Sequence, residues 1–139
     1  MARRGSALLV PGALEEREQR LVAWYRDQAR AYLSARAAEL ARRHGFTHNG
    51  VRITSAKGRY GSCNRQGGLN FSWRLIMAPP ATVDAVILHE LCHTKEHNHS
   101  ARFWRLVDQS CPDYTARCGW LRENGAALVS FGTGRPPKG

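Results

Sequence analysis

The chain has 139 residues, 42% of them hydrophobic and 23% charged, which suits a single domain over residues 1–139 with its own hydrophobic core. No apolar run is long enough for a signal peptide or a membrane span, and the four cysteines lack C-x-x-C spacing, which argues against a structural zinc ribbon. The sequence therefore predicts a cytoplasmic chain with reduced thiols. The 21 Lys and Arg residues against 11 Asp and Glu give a net charge of +10, which favours nucleic acid as a partner, although the arginines are dispersed and suit a solvated surface equally well.

A long helix is predicted in the first third of the chain, after a flexible arm at residues 1–12. The stretch from Ala13 to Arg43 is rich in Ala, Leu, Glu and Arg and contains no Gly or Pro, a composition that favours helix. Its apolar residues recur at three- and four-residue intervals and predict one buried stripe. They are Leu14, Leu21, Tyr25, Ala29, Tyr32, Leu33, Ala37, Leu40 and Ala41. Gly45 is the expected end of the helix.

The middle of the chain predicts short strands. Val51–Thr54 and Leu69–Trp73 alternate between apolar and polar residues, a pattern typical of strands with one buried face. Another strand is expected before Cys63, and Gly67-Gly68 is suited to a hairpin turn. We therefore expect an antiparallel sheet of about three strands. Pro79-Pro80 marks its end, and the next helix is expected to start near Thr82.

This second helix contains the sequence His89-Glu90-Leu91-Cys92-His93. Residues four apart lie one above the other on a helix, so His89 and His93 can bind one ion. This is the H-E-x-x-H arrangement of zinc hydrolases, in which Zn²⁺ activates a water and the carboxylate, here Glu90, accepts its proton as general base. The flanking residues are apolar, and ionisable groups on a buried helix are costly unless they are paired or bound to metal.

A third ligand is expected, because catalytic zinc commonly has three protein ligands and one open position. His97 lies one further i+4 step along the helix, whereas His99 requires the helix to stop and the chain to turn back. Three ligands along one straight helix would spread over about two turns, so we favour His99. Asn98 tolerates the left-handed conformation that ends helices, and Ser100 can cap a following helix.

Two C-terminal helices complete the predicted order. The first runs from about Ser100 to Ser110, and the second from about Asp113 to Glu123 after a break at Pro112. The tail over residues 132–139, which contains Pro136-Pro137, is expected to be flexible.

Several motifs occur in the order found in one protein family. They are Tyr60-Gly61-Ser62-Cys63, Asn70, Trp73-Arg74-Leu75, Pro79, His89-Glu90-Leu91-Cys92-His93, Asn98-His99-Ser100 and Phe103-Trp104. Over roughly residues 20 to 110 the chain resembles the YgjP-like metallopeptidase domain, which is related to SprT-like and minigluzincin proteases. The resemblance implies a small α+β, zincin-like domain with zinc bound by His89, His93 and His99 and with Glu90 as general base. The chain has Tyr60 where the family often has Trp.

The sequence indicates the substrate-contacting residues less specifically than the metal ligands. Leu69–Trp73 is a candidate edge strand for pairing with an extended peptide, and an ordinary interior strand has equal weight. Arg74, Tyr60 and Tyr114 are three candidates for stabilising the oxyanion, and the sequence does not choose among them. We interpret Glu96 as a solvated surface residue, with a role in orienting a ligand histidine as the alternative.

Three functions compete at this point. A zinc peptidase acting on protein or peptide is the first. The second is a metal-dependent endoribonuclease of the YbeY type, which resembles this chain in its three histidines but usually has Gly where Glu90 stands. The third is a nucleic-acid-binding module, or a DNA-associated protease like the SprT-like proteins, and it depends on the positive charge and on analogy.

Overall fold

A computed structural model of the chain describes residues 11–57 and 59–130. In this part of the chain the order is α1 (Pro11–His44), β1 (Val51–Thr54), β2 (Gly61–Cys63), β3 (Leu69–Ser72), a 3₁₀ helix (Trp73–Met77), α2 (Pro80–Cys92), α3 (Ala101–Ser110) and α4 (Tyr114–Ser130). The α+β prediction is confirmed. The predictions of flexibility for residues 1–10 and 132–139 lie outside the described residues. Over the described residues, no helix has both the length and the hydropathy that crossing a membrane requires.

Helix α1 is the long helix that the sequence predicts, and it packs on β1, the 3₁₀ helix and α2. It begins at Pro11, so residues 11 and 12 belong to the helix instead of the predicted arm; proline suits a first helical position because its missing N–H has no partner there. The helix ends before Gly45, whose φ of 77° suits glycine. The predicted stripe is buried at Ala29, Leu33, Ala37, Leu40 and Ala41. Leu21 and Tyr32 are instead 43% and 41% exposed, because they lie beside the buried face.

The sheet is mixed, whereas the sequence suggested an antiparallel one. Strands β2 and β3 form the expected antiparallel hairpin, with Gly61 opposite Phe71 and the turn at residues 64–68. The spatial order is β1-β3-β2, however, and β1 pairs with β3 in parallel, with Val51 opposite Leu69. Successive strands reverse direction, so β1 and β3 run the same way. Placing β3 between the other two strands therefore makes its contact with β1 parallel.

Helix α2 crosses the middle of the molecule and contacts α1, α3, α4 and β2. It starts at Pro80, two residues before the predicted Thr82, and Pro79 is its N-cap. Arg36 of α1 donates from Nε and Nη2 to the carboxylate of Asp84, at 2.8 and 2.7 Å. On the other side, the Thr82 hydroxyl donates to the carbonyl of Arg117 in α4. These contacts fix α2 within the core and so determine where its last turn lies.

The C-terminal helices begin close to their predicted positions, but α4 continues to Ser130 instead of ending near Glu123. The helix packs against α2 and the 3₁₀ helix, contacts with distant segments that local sequence does not reveal. Cys92 and Cys111 are buried free thiols, and Cys63 and Cys118 are free and half-buried. The cysteines thus form no disulfide.

Candidate metal centre

Three imidazoles converge at the C-terminal end of α2. One ring nitrogen from each of His89, His93 and His99 lies within 4.8 Å of the others, and Nε2 of His93 is 3.2 Å from Nε2 of His99. His97 is not a member of this group. The structure therefore brings together the two helical histidines and the later of the two candidates for the third position.

Convergence depends on where α2 ends. Cys92 is its last residue, and His93 is the C-cap, with its N–H donating to the carbonyls of Glu90 and Leu91. The Thr94 hydroxyl also donates to the Leu91 carbonyl, so the chain leaves the helix within one turn. Residues 94–100 then return toward the helix end, and the Ser100 side chain caps α3 by accepting from the N–H of Phe103 at 3.3 Å. Because the helix stops here, His97 does not lie on the helix face that carries His89 and His93, whereas His99 returns to that face.

The donor geometry fits a small divalent cation. Zinc binds imidazole nitrogen at about 2.0–2.1 Å, so two nitrogens on a tetrahedral ion lie about 3.3–3.4 Å apart. The 3.2 Å between the two Nε2 atoms of His93 and His99 agrees with this spacing. Nδ1 of His93 lies 2.9 Å from the carbonyl of Glu96, and a proton donated there leaves Nε2 with a free lone pair. Burial lowers the pKa of His93, which favours the neutral ring that a metal needs.

Glu90 lies beside this group and is only 5% exposed. Its Oε2 is 2.9 Å from Nδ1 of His89, which leaves Nε2 of His89 for the shared focus. Strand β2 approaches closely from the other side, because a Cβ on Gly61 would lie 3.0 Å from Cγ of Glu90. A carboxylate is thus held beside three imidazoles, between α2 and the sheet.

Comparison with known families decides what kind of domain carries this centre. A sequence profile described as the YgjP-like, metallopeptidase domain matches residues 3–124. The chain belongs to the YgjP-like metallopeptidase family. The family resemblance predicted from the motifs is confirmed, and membership makes the chain a metallopeptidase domain.

Among solved structures, the YgjP-like chain is similar to the metallopeptidase zymogen abylysin of Pyrococcus abyssi, solved by crystallography. The two share 18% identity with a TM-score of 0.52, over 69% of this chain and 90% of that chain. At this identity the likeness concerns the fold alone. A comparison with curated proteins gave no match.

Of the three oxyanion candidates in this YgjP-like domain, the structure places only Tyr114 against the histidines. Its ring stacks on His89, with centroids 5.5 Å apart and planes 16° from parallel. Arg74 is 3% exposed, and its Nη1 donates to the carbonyl of Ser55 at 2.9 Å. The Tyr60 hydroxyl lies beside Gly125 of α4. Tyr114 is therefore the remaining candidate, and burial raises the pKa of its phenol, which keeps the hydroxyl protonated.

The structure also shows aromatic contacts that the sequence analysis missed. Besides the pair of His89 and Tyr114, Phe103 stacks on His93 at 4.2 Å, and Trp104 stacks on His99 at 5.8 Å. The Phe103-Trp104 motif helped to indicate the family, but its position one helix after the histidines gave no sign of these contacts. Glu96 contributes its backbone carbonyl to His93, so the role in orienting a ligand belongs to its main chain, a possibility that side-chain chemistry does not suggest.

Proposed function

We propose that this domain is a zinc peptidase in which His89, His93 and His99 hold the ion and Glu90 is the general base. The observation that supports this most directly is the convergence of three ring nitrogens within 4.8 Å beside a buried carboxylate. Three neutral imidazoles with a fourth position left open are a donor set typical of catalytic zinc. When bound, zinc supplies Lewis-acid polarisation of a water and of the substrate carbonyl.

Glu90 has the chemistry and the position for proton transfer. It lies next to His89 in sequence, and its side chain is enclosed by α2 and β2, where the attraction between charges is stronger than in water. In the proposed reaction a Glu90 oxygen accepts a proton from the attacking water and later donates it to the leaving amine. The contact between Oε2 and His89 Nδ1 holds the carboxylate at the centre before substrate arrives.

Tyr114 is the proposed donor to the oxyanion that forms when the peptide carbonyl is attacked. Its ring covers His89, and Glu90 is near enough to raise the pKa of its phenol further, after the larger effects of burial and of Cys118. The Tyr114 hydroxyl is hydrogen-bonded to Cys118, so in the proposed reaction it turns from the thiol to donate its one hydrogen bond to the developing negative charge.

Of the two interpretations of Leu69–Trp73, edge strand or interior strand, the interior one is correct. Strand β3 (Leu69–Ser72) is central and paired on both sides, so its edges are not available to a peptide. Strand β2 (Gly61–Cys63) is an edge strand that packs against α2. Of the described strands only β3 pairs with it, and we propose that an extended peptide pairs with its outer edge, beside Glu90.

One experiment separates this function from RNA cleavage. Purified protein is incubated with unfolded casein and, separately, with a structured RNA, with zinc, with a chelator, and as the Glu90→Gln variant. A peptidase cleaves casein only with zinc and loses that activity in the variant. RNA cleavage that survives Glu90→Gln, with intact casein, would establish the endoribonuclease instead.

Binding to nucleic acid is a separate property and stays a prediction. It depends on the net charge of +10, and a DNA-associated peptidase would combine it with the chemistry above. Duplex DNA binding whose affinity falls steeply with added salt would support it, because phosphate contacts release counterions. No binding at low salt would remove it.

A further inference from the structure

The three histidines are held to different degrees. His89 lies in the last turn of buried α2 and His93 is its C-cap, and the Nδ1 atom of each has a polar contact at 2.9 Å. His99 is exposed and lies between helices. Within the described residues its one polar contact is the 3.2 Å approach to His93, on the side of the shared focus. Nothing polar in this part of the protein fixes the far side of its ring.

An aromatic ring takes the place of that missing polar contact. The indole of Trp104 stacks on His99 with centroids 5.8 Å apart and planes 24° from parallel. Phe103 meets the same imidazole edge to face, at 5.0 Å and 89°. Both rings come from the first turn of α3, so two aromatic contacts define the plane in which the imidazole lies.

The position of Trp104 is itself well determined. Its backbone N–H donates to the carbonyl of Ser100 at 3.1 Å, in the turn that the Ser100 side chain caps. The neighbouring Phe103 is fully buried and anchors the helix. The backbone that carries the indole is therefore well anchored, beside a histidine on a less constrained segment.

Trp104 is 42% exposed. Among the described residues, its ring contacts all lie at the metal centre, namely His89, His99, Phe103 and Tyr114. Two of its ring neighbours are proposed ligand histidines, and the other two lie beside them. We therefore link the function of this exposed indole to the histidine ligands.

We propose that Trp104 is the positioning residue for His99: by stacking on the imidazole it restricts the ring to the orientation that meets the cation. This inference rests on the proposed metal site. Without the stack, His99 samples other rotamers, and each metal-binding event must then select one of them. Loss of groups that orient a ligand typically weakens metal binding 10- to 100-fold. We expect Trp104→Ala to weaken zinc binding by about that factor.

The test measures zinc affinity of metal-free protein by competition with a chromophoric chelator, for wild type, Trp104→Ala, Trp104→Leu, Trp104→Phe and Trp24→Ala. Trp24 is the matched control: it is 54% exposed on α1, and within the described residues its ring meets Tyr25 and no histidine. We expect weaker zinc binding in Trp104→Ala and in Trp104→Leu, because leucine covers His99 without a flat ring that can stack on it. Phe should preserve most of the affinity, and Trp24→Ala should bind as wild type does.

The outcomes distinguish this inference from the proposed function. Wild-type protein that binds no zinc would refute the metal site and the role of Trp104 together. Wild-type binding that Trp104→Ala and Trp104→Leu both retain within twofold would overturn the role of Trp104 alone. Circular dichroism of the metal-free proteins checks folding, and the Leu variant decides the question if the Ala variant is unfolded. The absorption spectrum of the Co²⁺ form gives a second readout, which should change with Trp104→Ala and not with Trp24→Ala.

Discussion

Nε2 of His93 and Nε2 of His99 lie 3.2 Å apart, although His93 ends a buried helix and His99 lies in an exposed connection. Five residues separate them, and the intervening chain leaves α2 and returns within that length. Two imidazole nitrogens that face each other at this distance need a proton or a cation between them. The relationship links the fold of residues 94–100 to metal binding.

His93→Ala should abolish stoichiometric zinc binding, because it removes the buried ligand whose free Nε2 is fixed by the carbonyl of Glu96. At the proposed site, bound zinc would join α2 to the segment before α3, so the variant should also lose the increase in melting temperature that we expect zinc to give wild type. Elemental analysis and thermal unfolding with and without chelator measure both effects. His97→Ala is the control and should bind zinc normally, since His97 lies outside the cluster. Equal loss in both variants would argue against the assigned ligands.

Glu90→Gln should keep fold and zinc while turnover falls by roughly 10²-fold or more, because the amide cannot accept the proton of the water. Steady-state cleavage of a fluorogenic peptide, together with zinc content, checks this. Glu96→Gln is a matched change between His93 and His99, and the hydrogen bond of Glu96 with His93 is made by its backbone carbonyl. It should leave turnover near the wild-type level. Turnover unchanged by Glu90→Gln would exclude that residue as the base.

Tyr114→Phe should lower kcat by roughly 10²-fold with little change in KM, as expected when one donor to the oxyanion is lost. The phenyl ring still stacks on His89, so zinc affinity should be retained. Tyr60→Phe is the control, because the Tyr60 hydroxyl lies beside Gly125 and not at the histidines. A wild-type kcat in Tyr114→Phe would show that Tyr114 does not donate to the oxyanion.

Gly61→Ala should disturb both stability and the position of Glu90. The added Cβ would lie 3.0 Å from Cγ of Glu90 and 3.1 Å from side-chain atoms of Phe71 and Val86, a crowding that typically costs about 1–3 kcal/mol. Denaturant unfolding measures the loss of stability, and peptide cleavage measures the loss of activity. Gly119→Ala, in α4 with its closest contact at 3.4 Å, should not destabilise the protein. A stable and fully active Gly61→Ala would show that β2 and α2 separate easily.

The helices and the metal motif were predictable because the signals that specify them are local. Ala29 and Leu33 show the helical period in the sequence, and Ser100 caps α3 as its residue type suggests. The spacing of His89 and His93 places both on one face of any helix. The choice of His99 over His97 also followed from helix geometry, and the structure groups His99 with the helical pair.

The arrangement of the sheet and the surroundings of the site depend on contacts between distant residues. Nothing within β3 indicates that it lies between β1 and β2, so the edge and centre positions could not be assigned from alternation alone. Tyr114 meets His89 because α4 packs on α2, 25 positions along the chain (114 − 89). The 3₁₀ helix Trp73–Met77 was missed because Trp73 reads as the last residue of a strand, whereas the Ser72 side chain accepts from Arg74 N–H and caps the turn.

Elemental analysis of zinc in protein that has been stripped of metal, reloaded and dialysed is the most direct test of the metal site. Wild type should retain one zinc per chain, and His99→Ala should retain far less, because it removes the ligand that the connection contributes. Zinc retained equally by His89→Ala, His93→Ala and His99→Ala, or absent from wild type, would contradict the account.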